Sequence, residues 1–280
     1  DEGTGSSLYN VAVDPSPALD IVNASYASDV PYYDIEGCTD SEACNYNEEH
    51  LEDDGSCEYP EENYNCDGDL IATDIEGNVY QAVEIGGQIW MAENLNTSHY
   101  ADGSEILLIE PDQGSAWRDA GDAGTGAYGI YDNNPENAEI YGKLYNWPAA
   151  NGGICPDGWK LPSQEDFQQL VDQYEGWDQA TGMELMDGNG DYWNTPTVGG
   201  VNLTNESGFS LRGGGERQNY YGSYLSLNDW AYLWTSTSES ENVYYQFAVD
   251  KNAGTHNWSA HKRTGQSIRC ILAQPGCTED

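Results

Sequence analysis

Four cysteines, Cys38, Cys44, Cys57 and Cys66, lie close together in a stretch of acidic and polar residues with almost no apolar side chains. A segment that cannot bury a hydrophobic core folds only when covalent cross-links stabilise it, so these cysteines predict disulfides. Disulfides form in oxidising compartments, which indicates a secreted protein, extracellular or at a cell surface. Four cysteines allow three pairings, which the sequence does not distinguish. Residues 37–69 are therefore predicted to form a disulfide-stapled unit, here called the acidic clip.

The charge of the chain is strongly one-sided. It has 49 acidic and 9 basic residues, a formal net charge of −40. Such a field repels phosphate backbones and anionic lipid surfaces, which excludes nucleic acid as a partner. Cations relieve self-repulsion of this size, so we expect Ca²⁺ as a cofactor; the alternative is an acidic surface that only keeps the protein in solution. No apolar run approaches the ~20 residues of a spanning helix, so no membrane insertion is expected.

Carboxylate and amide oxygens beside glycines supply the hard ligands that Ca²⁺ prefers. The candidate calcium ligands are Asp53, Asp54, Asp67 and Asp69 of the clip and Asp187, Asn189 and Asp191 further on. The second group spaces three oxygen donors two residues apart, like the start of a calcium loop, but it has no glycine at the sixth position and Val198 in place of an acid at the twelfth. It is therefore not an EF-hand, and a polar turn is the alternative.

The first 36 residues alternate apolar and polar side chains in SLYNVAVD and DIVNASYASDV, which predicts one or two strands in an extended N-terminal segment. A strand pair alone is not stable. The segment is expected either to join a sheet of its own domain or to dock on the open sheet edge of a neighbouring subunit. Asp1 begins without a charged and apolar leader, as expected of a processed mature chain.

Residues 70–275 carry the signals of a larger domain. Asn78 to Ile85, Gly86-Gly87 and Gln88 to Glu93 predict a β-hairpin. Ser163-Gln-Glu-Asp166 resembles a capping box and predicts a helix whose apolar residues recur at helical spacing until Gly176. The other predicted elements are a short helix over 180–186, a loop from there to Trp234, and strands over 243–249 and 267–272.

Five blocks in the order DIEGNVYQAVEIGGQIWMAENLN, YGKLYNWPAA, CPDGWKLPSQEDFQQLV, LWTSTSES and GQSIRCILA resemble the Fibrobacter succinogenes major paralogous domain of secreted bacterial proteins, over about residues 72–273. The resemblance implies an α+β, C-type-lectin-like fold with small antiparallel sheets, two short helices, long loops, and terminal strands that lie together. It also implies a Cys155–Cys270 disulfide, which would stabilise the fold by roughly 4–5 kcal/mol. With its GCTD, ACNYN and DDGSCEYP blocks, the clip resembles acidic cysteine repeats of secreted Bacteroidetes proteins, which implies a spacer or connector module.

One cysteine, Cys277, is left without a partner. Residues 276–280, GCTED, echo GCTD at residues 37–40, which indicates either an intermolecular disulfide or the start of a further repeat. Both interpretations favour an array of modules or subunits, and a stray thiol is the alternative.

No catalytic constellation is visible, and we expect no enzymatic activity. The four histidines lie in no HExxH spacing, there is no GxSxG motif, and carboxylates are too abundant for any pair to be informative. Related folds include enzymes with reactive cysteines, but the two cysteines of this domain match the positions of the structural disulfide.

A glycine-rich and aromatic stretch after Arg212 is suited to stacking on sugars or packing against a protein. The candidate ligand or interface residues are Tyr220, Tyr221, Tyr224, Asn228, Asp229 and Trp230. Core filling is the alternative for the tryptophans. The order Asn-Asp-Trp differs from the WND motif of sugar-binding C-type lectins, and no EPN or QPD triplet occurs.

Together these patterns predict a non-enzymatic, secreted bacterial surface protein that is a structural subunit of an extracellular filament or adhesive layer. Assembly would use N-terminal strand docking and modules stabilised by Ca²⁺, with other copies of the chain as partners. The alternative is a calcium-dependent, carbohydrate-binding adhesin with surface glycans as partners and with Tyr220, Tyr221 and Trp230 near the sugar.

Overall fold

The computed structural model describes residues 35–188, 190–194 and 203–273. The chain divides into two compact units, Asp1–Glu58 and Tyr59–Asp280. The strands predicted before residue 35, the candidate ligand Asn189 and the odd Cys277 lie outside the described residues.

The described part of the first unit is held together by a cross-link and short turns. Strand β1 (Glu36–Gly37) pairs in parallel with β2 (Glu52–Asp53). A disulfide joins Cys38, which is buried, to Cys57. Cys44 and Cys66 are disulfide-bonded as well. The four clip cysteines are thus in disulfides, as predicted, while the clip as a domain stays a prediction.

The described part of the second unit is built from many short elements. Its strands are β3 (Ile71–Thr73), β4 (Val79–Ile85), β5 (Gln88–Met91), β6 (Leu107–Leu108), β7 (Ala127–Gly129), β8 (Leu144–Tyr145), β9 (Trp159–Lys160), β10 (Glu216–Arg217), β11 (Tyr224–Leu225), β12 (Trp230–Ser240), β13 (Val243–Asp250), β14 (Thr255–His261) and β15 (Ile271–Leu272). Its α-helices are α1 (Gly114–Ala123), α2 (Pro135–Tyr141), α3 (Trp147–Ala150), α4 (Gln164–Asp172) and α5 (Gln179–Leu185), with 3₁₀ turns at Tyr131–Asn133 and Gly190–Tyr192. No helix in the described ranges is long and apolar enough to cross a membrane.

The sheets of this unit are small and mainly antiparallel. The largest has the order β3-β4-β5-β15-β9, and the longest strands form the three-stranded sheet β12-β13-β14. A third sheet, β6-β7-β8, contains one parallel pair, and β10 and β11 form a separate two-stranded ladder. This combination of small sheets and short helices is consistent with the predicted α+β class.

Two predicted elements with strong local signals are confirmed. β4 and β5 form the predicted hairpin, in which Gly86 and Gly87 have φ of 59° and 80°, the left-handed values that a type I′ turn requires at both positions. The capping box at the start of α4 is also present. The Ser163 amide donates to Asp166 Oδ2 at 2.7 Å, and the Asp166 amide donates to Ser163 Oγ at 3.1 Å. The helix buries Phe167 against Phe247 of β13.

Other boundaries differ from the predictions. Helices α1, α2 and α3 come in addition to the two that the resemblance implies. The segment expected to be loop up to Trp234 contains the β10–β11 ladder, and β12 already begins at Trp230. The predicted last strand, residues 267–272, is shortened to β15. At the start of this segment Ser267 bridges to Leu233 of β12, whereas β15 belongs to the five-stranded sheet, so the chain passes from one sheet to the other.

Aromatic side chains fill much of the core. One cluster contains Trp90, Phe167 and Phe247, whose two phenylalanine rings stack at 4.7 Å between centroids. A second cluster surrounds the Cys155–Cys270 disulfide, whose Cα atoms are 5.9 Å apart. The sheet β12-β13-β14 contributes side chains to both clusters, which fixes its position in the unit.

Arg217 is buried among backbone carbonyls and donates to them rather than to carboxylates. Arg217 is 0% exposed and donates to the carbonyls of Ile109, Glu110 and Gly222. Its guanidinium also lies 4.2 Å from the Trp117 ring centroid. Arg217 therefore ties together segments that are distant in sequence, and its guanidinium donors are used within the unit.

Candidate functional site

The predicted calcium ligands occupy turns or pair with other groups. The carboxylates of Asp53 and Asp54 accept from backbone amides two residues ahead at 3.0 and 2.9 Å. In the second unit, the amides of Asp67 and Asp69 donate to Asn65 Oδ1. No group of three or more histidine, cysteine or acidic side chains arranged to hold a metal occurs among the described residues. Calcium binding stays a prediction.

The later candidate ligands also have other contacts. Asp187 Oδ2 accepts from Arg212 Nε at 2.9 Å, and Asp191 is exposed. Asp229 forms an ion pair with Lys251 at 2.9 Å, and this hydrogen bond is the main reason that the pKa of Asp229 is lowered. Asn228 Oδ1 accepts from the Tyr141 hydroxyl at 2.6 Å. Asp187, Asn228 and Asp229 thus connect elements within the unit.

The predicted ligand-binding aromatic residues are not brought together. Tyr220 and Tyr221 are 52% and 71% exposed and pack edge to face against each other. Tyr224 lies against Tyr131, with ring centroids 5.1 Å apart. Trp230 belongs to a different cluster, on the sheet β12-β13-β14.

That cluster follows from the register of the sheet. Side chains alternate between the two faces of a strand, so Trp230 and Tyr232 of β12 project to one face, while Leu233 projects to the core. Tyr232 pairs across the sheet with Ala248, which in turn pairs with His256 of β14. Because the central residue of this row is only an alanine, room remains for large rings on both sides.

Four rings cover this side of the sheet, and we call them the aromatic face: Trp230, Tyr232, His256 and Trp258. The centroid of Trp258 lies 4.4 Å from that of His256 and 5.1 Å from that of Trp230. His256 Nε2 lies 3.1 Å from Asp250 Oδ2, which orients the imidazole. Trp258 is 43% exposed, so this face is only partly covered by the protein.

A pocket of about 330 Å³ lies beside the aromatic face. Its walls come from β10 and the turn after it, from all three strands of the sheet, and from the segment after β14. The lining residues are Glu216, Gln218, Asn219, Tyr232, Gln246, Trp258, Ser259, Ala260, His261 and Thr264. One aromatic surface together with several carboxyl, amide and hydroxyl groups is the composition of many small-molecule sites.

Glu216 is the unusual group in this pocket. Burial alone raises the pKa of its carboxyl, and within the described part of the chain no group donates a hydrogen bond to it. Burial also raises the pKa of Tyr232, and the neighbouring Glu216 charge raises it further. The pKa of His261 is lowered by burial and by Arg263, which favours a neutral imidazole at pH 7. The pocket therefore holds a carboxyl without a counter-charge among its lining residues.

A second cleft, of about 190 Å³, lies near Arg212 and Arg269. Arg269 is 1% exposed and donates to Asn94 Oδ1 and to the carbonyls of Phe209 and Ser210, while burial lowers its pKa to about 9. Since its charged group is already used for internal contacts, this cleft is the weaker candidate.

Sequence reasoning missed Glu216, Tyr232, His256 and Trp258. A usable signal existed for the last two, because THNWSAH places His256 and Trp258 two residues apart, as on one face of a strand. For Glu216 there was no local signal, since its burial depends on the packing of β10 against a sheet that follows later in the chain.

Comparison with known proteins gives one match. The family model described as Fibrobacter succinogenes major domain matches residues 83–272, more than half of the chain. No curated protein and no solved structure matches the chain. The matched range contains the aromatic face and every residue of its pocket.

Proposed function

Since the chain belongs to the Fibrobacter succinogenes major domain family, we propose that it is a non-enzymatic, secreted bacterial surface protein whose second unit binds carbohydrate at the aromatic face. The family and the disulfides fit a surface or secreted protein. The C-type-lectin-like fold and the adhesive role remain part of this proposal.

The observation that carries the proposal is the position of Trp258 and Tyr232 at the edge of a polar pocket. The C–H face of a sugar ring stacks on an indole or phenol, and such rings contribute much of the energy of binding surfaces. The hydroxyl groups of the same sugar can bond to Gln218, Asn219 and Gln246. A pocket with this pairing of surfaces suits a ligand that is apolar on one side and polar at its edges.

Titration of the full chain with soluble oligosaccharides chosen from a glycan array tests this proposal. Trp258→Ala is expected to weaken binding about tenfold or more, because an aromatic anchor is lost. Tyr46→Ala, which removes an exposed ring in the first unit, serves as the matched control and is expected to change nothing. Tyr221→Ala tests the alternative surface formed by Tyr220 and Tyr221. If Tyr221→Ala abolished binding and Trp258→Ala did not, the ligand would bind at that surface and not at the aromatic face.

A second proposal, assembly into a filament or adhesive layer, is favoured by the outer edge of β14. This strand pairs with β13 on one side, and no described strand pairs with its other side. An open strand edge is a template for an added strand, and the sequence of residues 1–36 alternates as such a strand would. Ca²⁺ binding by the acidic residues would support assembly by relieving their repulsion.

Negative-stain imaging of the protein from its source tests assembly. Filaments that disappear when residues 1–36 are deleted would support strand docking, and a parallel sample treated with chelator tests the role of Ca²⁺. Isolated particles at high concentration in every condition would refute the assembly proposal. We expect no turnover in glycosidase and esterase assays.

A further inference from the structure

The pocket beside the aromatic face contains a carboxyl that the protein itself does not satisfy. Glu216 is half-buried, so its carboxyl is partly withdrawn from water, and this loss of hydration is costly for a charge that no hydrogen-bond donor compensates. Glu216 lines this pocket, and no described residue donates to its side chain. A bound group that supplies donors or positive charge would remove this cost.

The pocket lining supplies no cationic side chain to pair with the Glu216 carboxyl. Lysine and arginine are absent from its lining. The cations adjacent in sequence to lining residues have other partners. Arg217 donates to three backbone carbonyls. Lys262 and Arg263 contact Asp122, through its carbonyl at 3.3 Å and its carboxylate at 3.2 Å. Of the titratable groups that line the pocket with Glu216, Tyr232 and His261 are both favoured in their neutral forms. Glu216 is therefore the negative charge of the lining itself, and Asp250, whose carboxylate lies 3.1 Å from His256 on the aromatic face, adds a second one nearby.

The rings next to Glu216 favour the same kind of ligand. The faces of tryptophan and tyrosine rings attract ammonium groups, most strongly where water is excluded. Trp258 and Tyr232 line the pocket together with Glu216, so a cation there would contact both a carboxylate and aromatic faces. The net charge of −40 raises the local concentration of any cationic polymer around the protein.

We propose that the ligand of this pocket is an amino sugar with a free ammonium group, stacked on Trp258 and paired with Glu216. This inference rests on the proposed function and narrows its ligand class. A neutral or N-acetylated sugar can stack on the same rings, but it leaves the Glu216 carboxylate without a counter-charge. A uronic acid would place a second negative charge beside it.

The experiment compares three tetrasaccharides, of glucosamine, N-acetylglucosamine and glucose, by calorimetric titration of the full chain. The glucosamine tetramer is expected to bind at least about tenfold more tightly than the other two. Glu216→Gln should remove this preference, so that the three sugars bind the variant with affinities within about twofold of one another. Trp258→Ala should weaken all three.

Two controls separate specific pairing from general attraction to an acidic protein. Glu239→Gln makes the same change in charge at an exposed position of β12 and is expected to keep the preference. Added salt should reduce the preference only modestly, because a partly buried pair is screened less than an exposed one. A preference that Glu239→Gln lowers as much as Glu216→Gln does would overturn the inference.

The outcomes also distinguish this inference from the proposed function. Equal binding of the three sugars, lost in Trp258→Ala and unchanged in Glu216→Gln, would overturn the amino-sugar assignment and leave carbohydrate binding intact. Binding of none of the three would overturn the amino-sugar assignment, and binding of no glycan on the array would refute the proposed function as well. Ethylammonium as a competitor of the same potency as glucosamine would show that the pocket takes a simple cation, and the sugar assignment would fail.

Discussion

Removal of the Cys155–Cys270 disulfide should destabilise the second unit by about 4–5 kcal/mol. The cross-link joins residues separated by 115 positions, and in the chain-entropy picture a closed loop of this length restricts the unfolded chain by about 16 cal/mol/K, or about 5 kcal/mol at room temperature. The Cys38–Cys57 bridge, with a separation of 19, gives only about 3 kcal/mol in the same picture. Stabilities of single domains are about 5–15 kcal/mol, so loss of the long bridge is a large fraction of the total.

The assay is urea unfolding of the double variant Cys155→Ala/Cys270→Ala, followed by tryptophan fluorescence and compared with the wild type under oxidising conditions. Cys270 is 0% exposed and Cys155 is 7% exposed, so the alanines also remove buried sulfur atoms from the second core cluster. Reductant opens the clip disulfides as well, so both proteins are also unfolded in reductant. There the wild type and the double variant differ only in the buried sulfur atoms, which isolates packing from chain entropy. A change below about 1 kcal/mol in the reduced wild type would refute the chain-entropy reasoning.

Three further predictions concern single side chains. Ser163→Ala should lower the free energy of unfolding by about 1 kcal/mol, because it removes the side-chain cap of α4. Arg217→Leu should lower it by at least about 3 kcal/mol, since three carbonyls lose their donor, whereas Arg118→Leu on the surface should change it by less than about 0.5 kcal/mol. Burial raises the pKa of Glu216, so the folded state favours the protonated carboxyl and the wild type should lose stability as pH rises above 4.5, the usual value, through the raised one. Glu216→Gln should lack this loss and be more stable than the wild type at pH 7 in urea unfolding; a less stable variant would contradict the sign.

Signals confined to a few neighbouring residues could be predicted from the sequence. The paired glycines at 86 and 87 specify a turn between two apolar stretches, and Ser163 with Asp166 specifies the start of α4. Helices α2 and α3 carry an equally local signal that was missed, because each begins after an asparagine cap, Asn134 or Asn146, with a proline in its first turn.

The candidate site depends on relations between distant residues, which is why less of it could be predicted. Arg217 lies in a glycine-rich stretch that reads as exposed, but its carbonyl partners in the segment of Ile109 lie more than 100 residues earlier. Trp230 lies on the aromatic face beside Tyr232 of its own strand, whereas His256 and Trp258 come from β14, which follows later in the chain. The placement of the Glu216 carboxyl in the pocket follows from how β10 packs beside that sheet, which no local pattern encodes.

The long disulfide has a mechanical consequence for a protein pulled from its two ends. Residues 156–269, which include the aromatic face and its whole pocket, lie inside the covalent loop closed by Cys155 and Cys270. Tension along the chain therefore passes through the sulfur–sulfur bond and does not reach these residues. While the disulfide is intact, residues 156–269 cannot extend, which at roughly 3.3–3.6 Å for each extended residue shortens the stretched chain by about 380–410 Å. Force spectroscopy with and without reductant would measure this difference in contour length. The aromatic face and its pocket are thus shielded from load applied at the two ends of the chain.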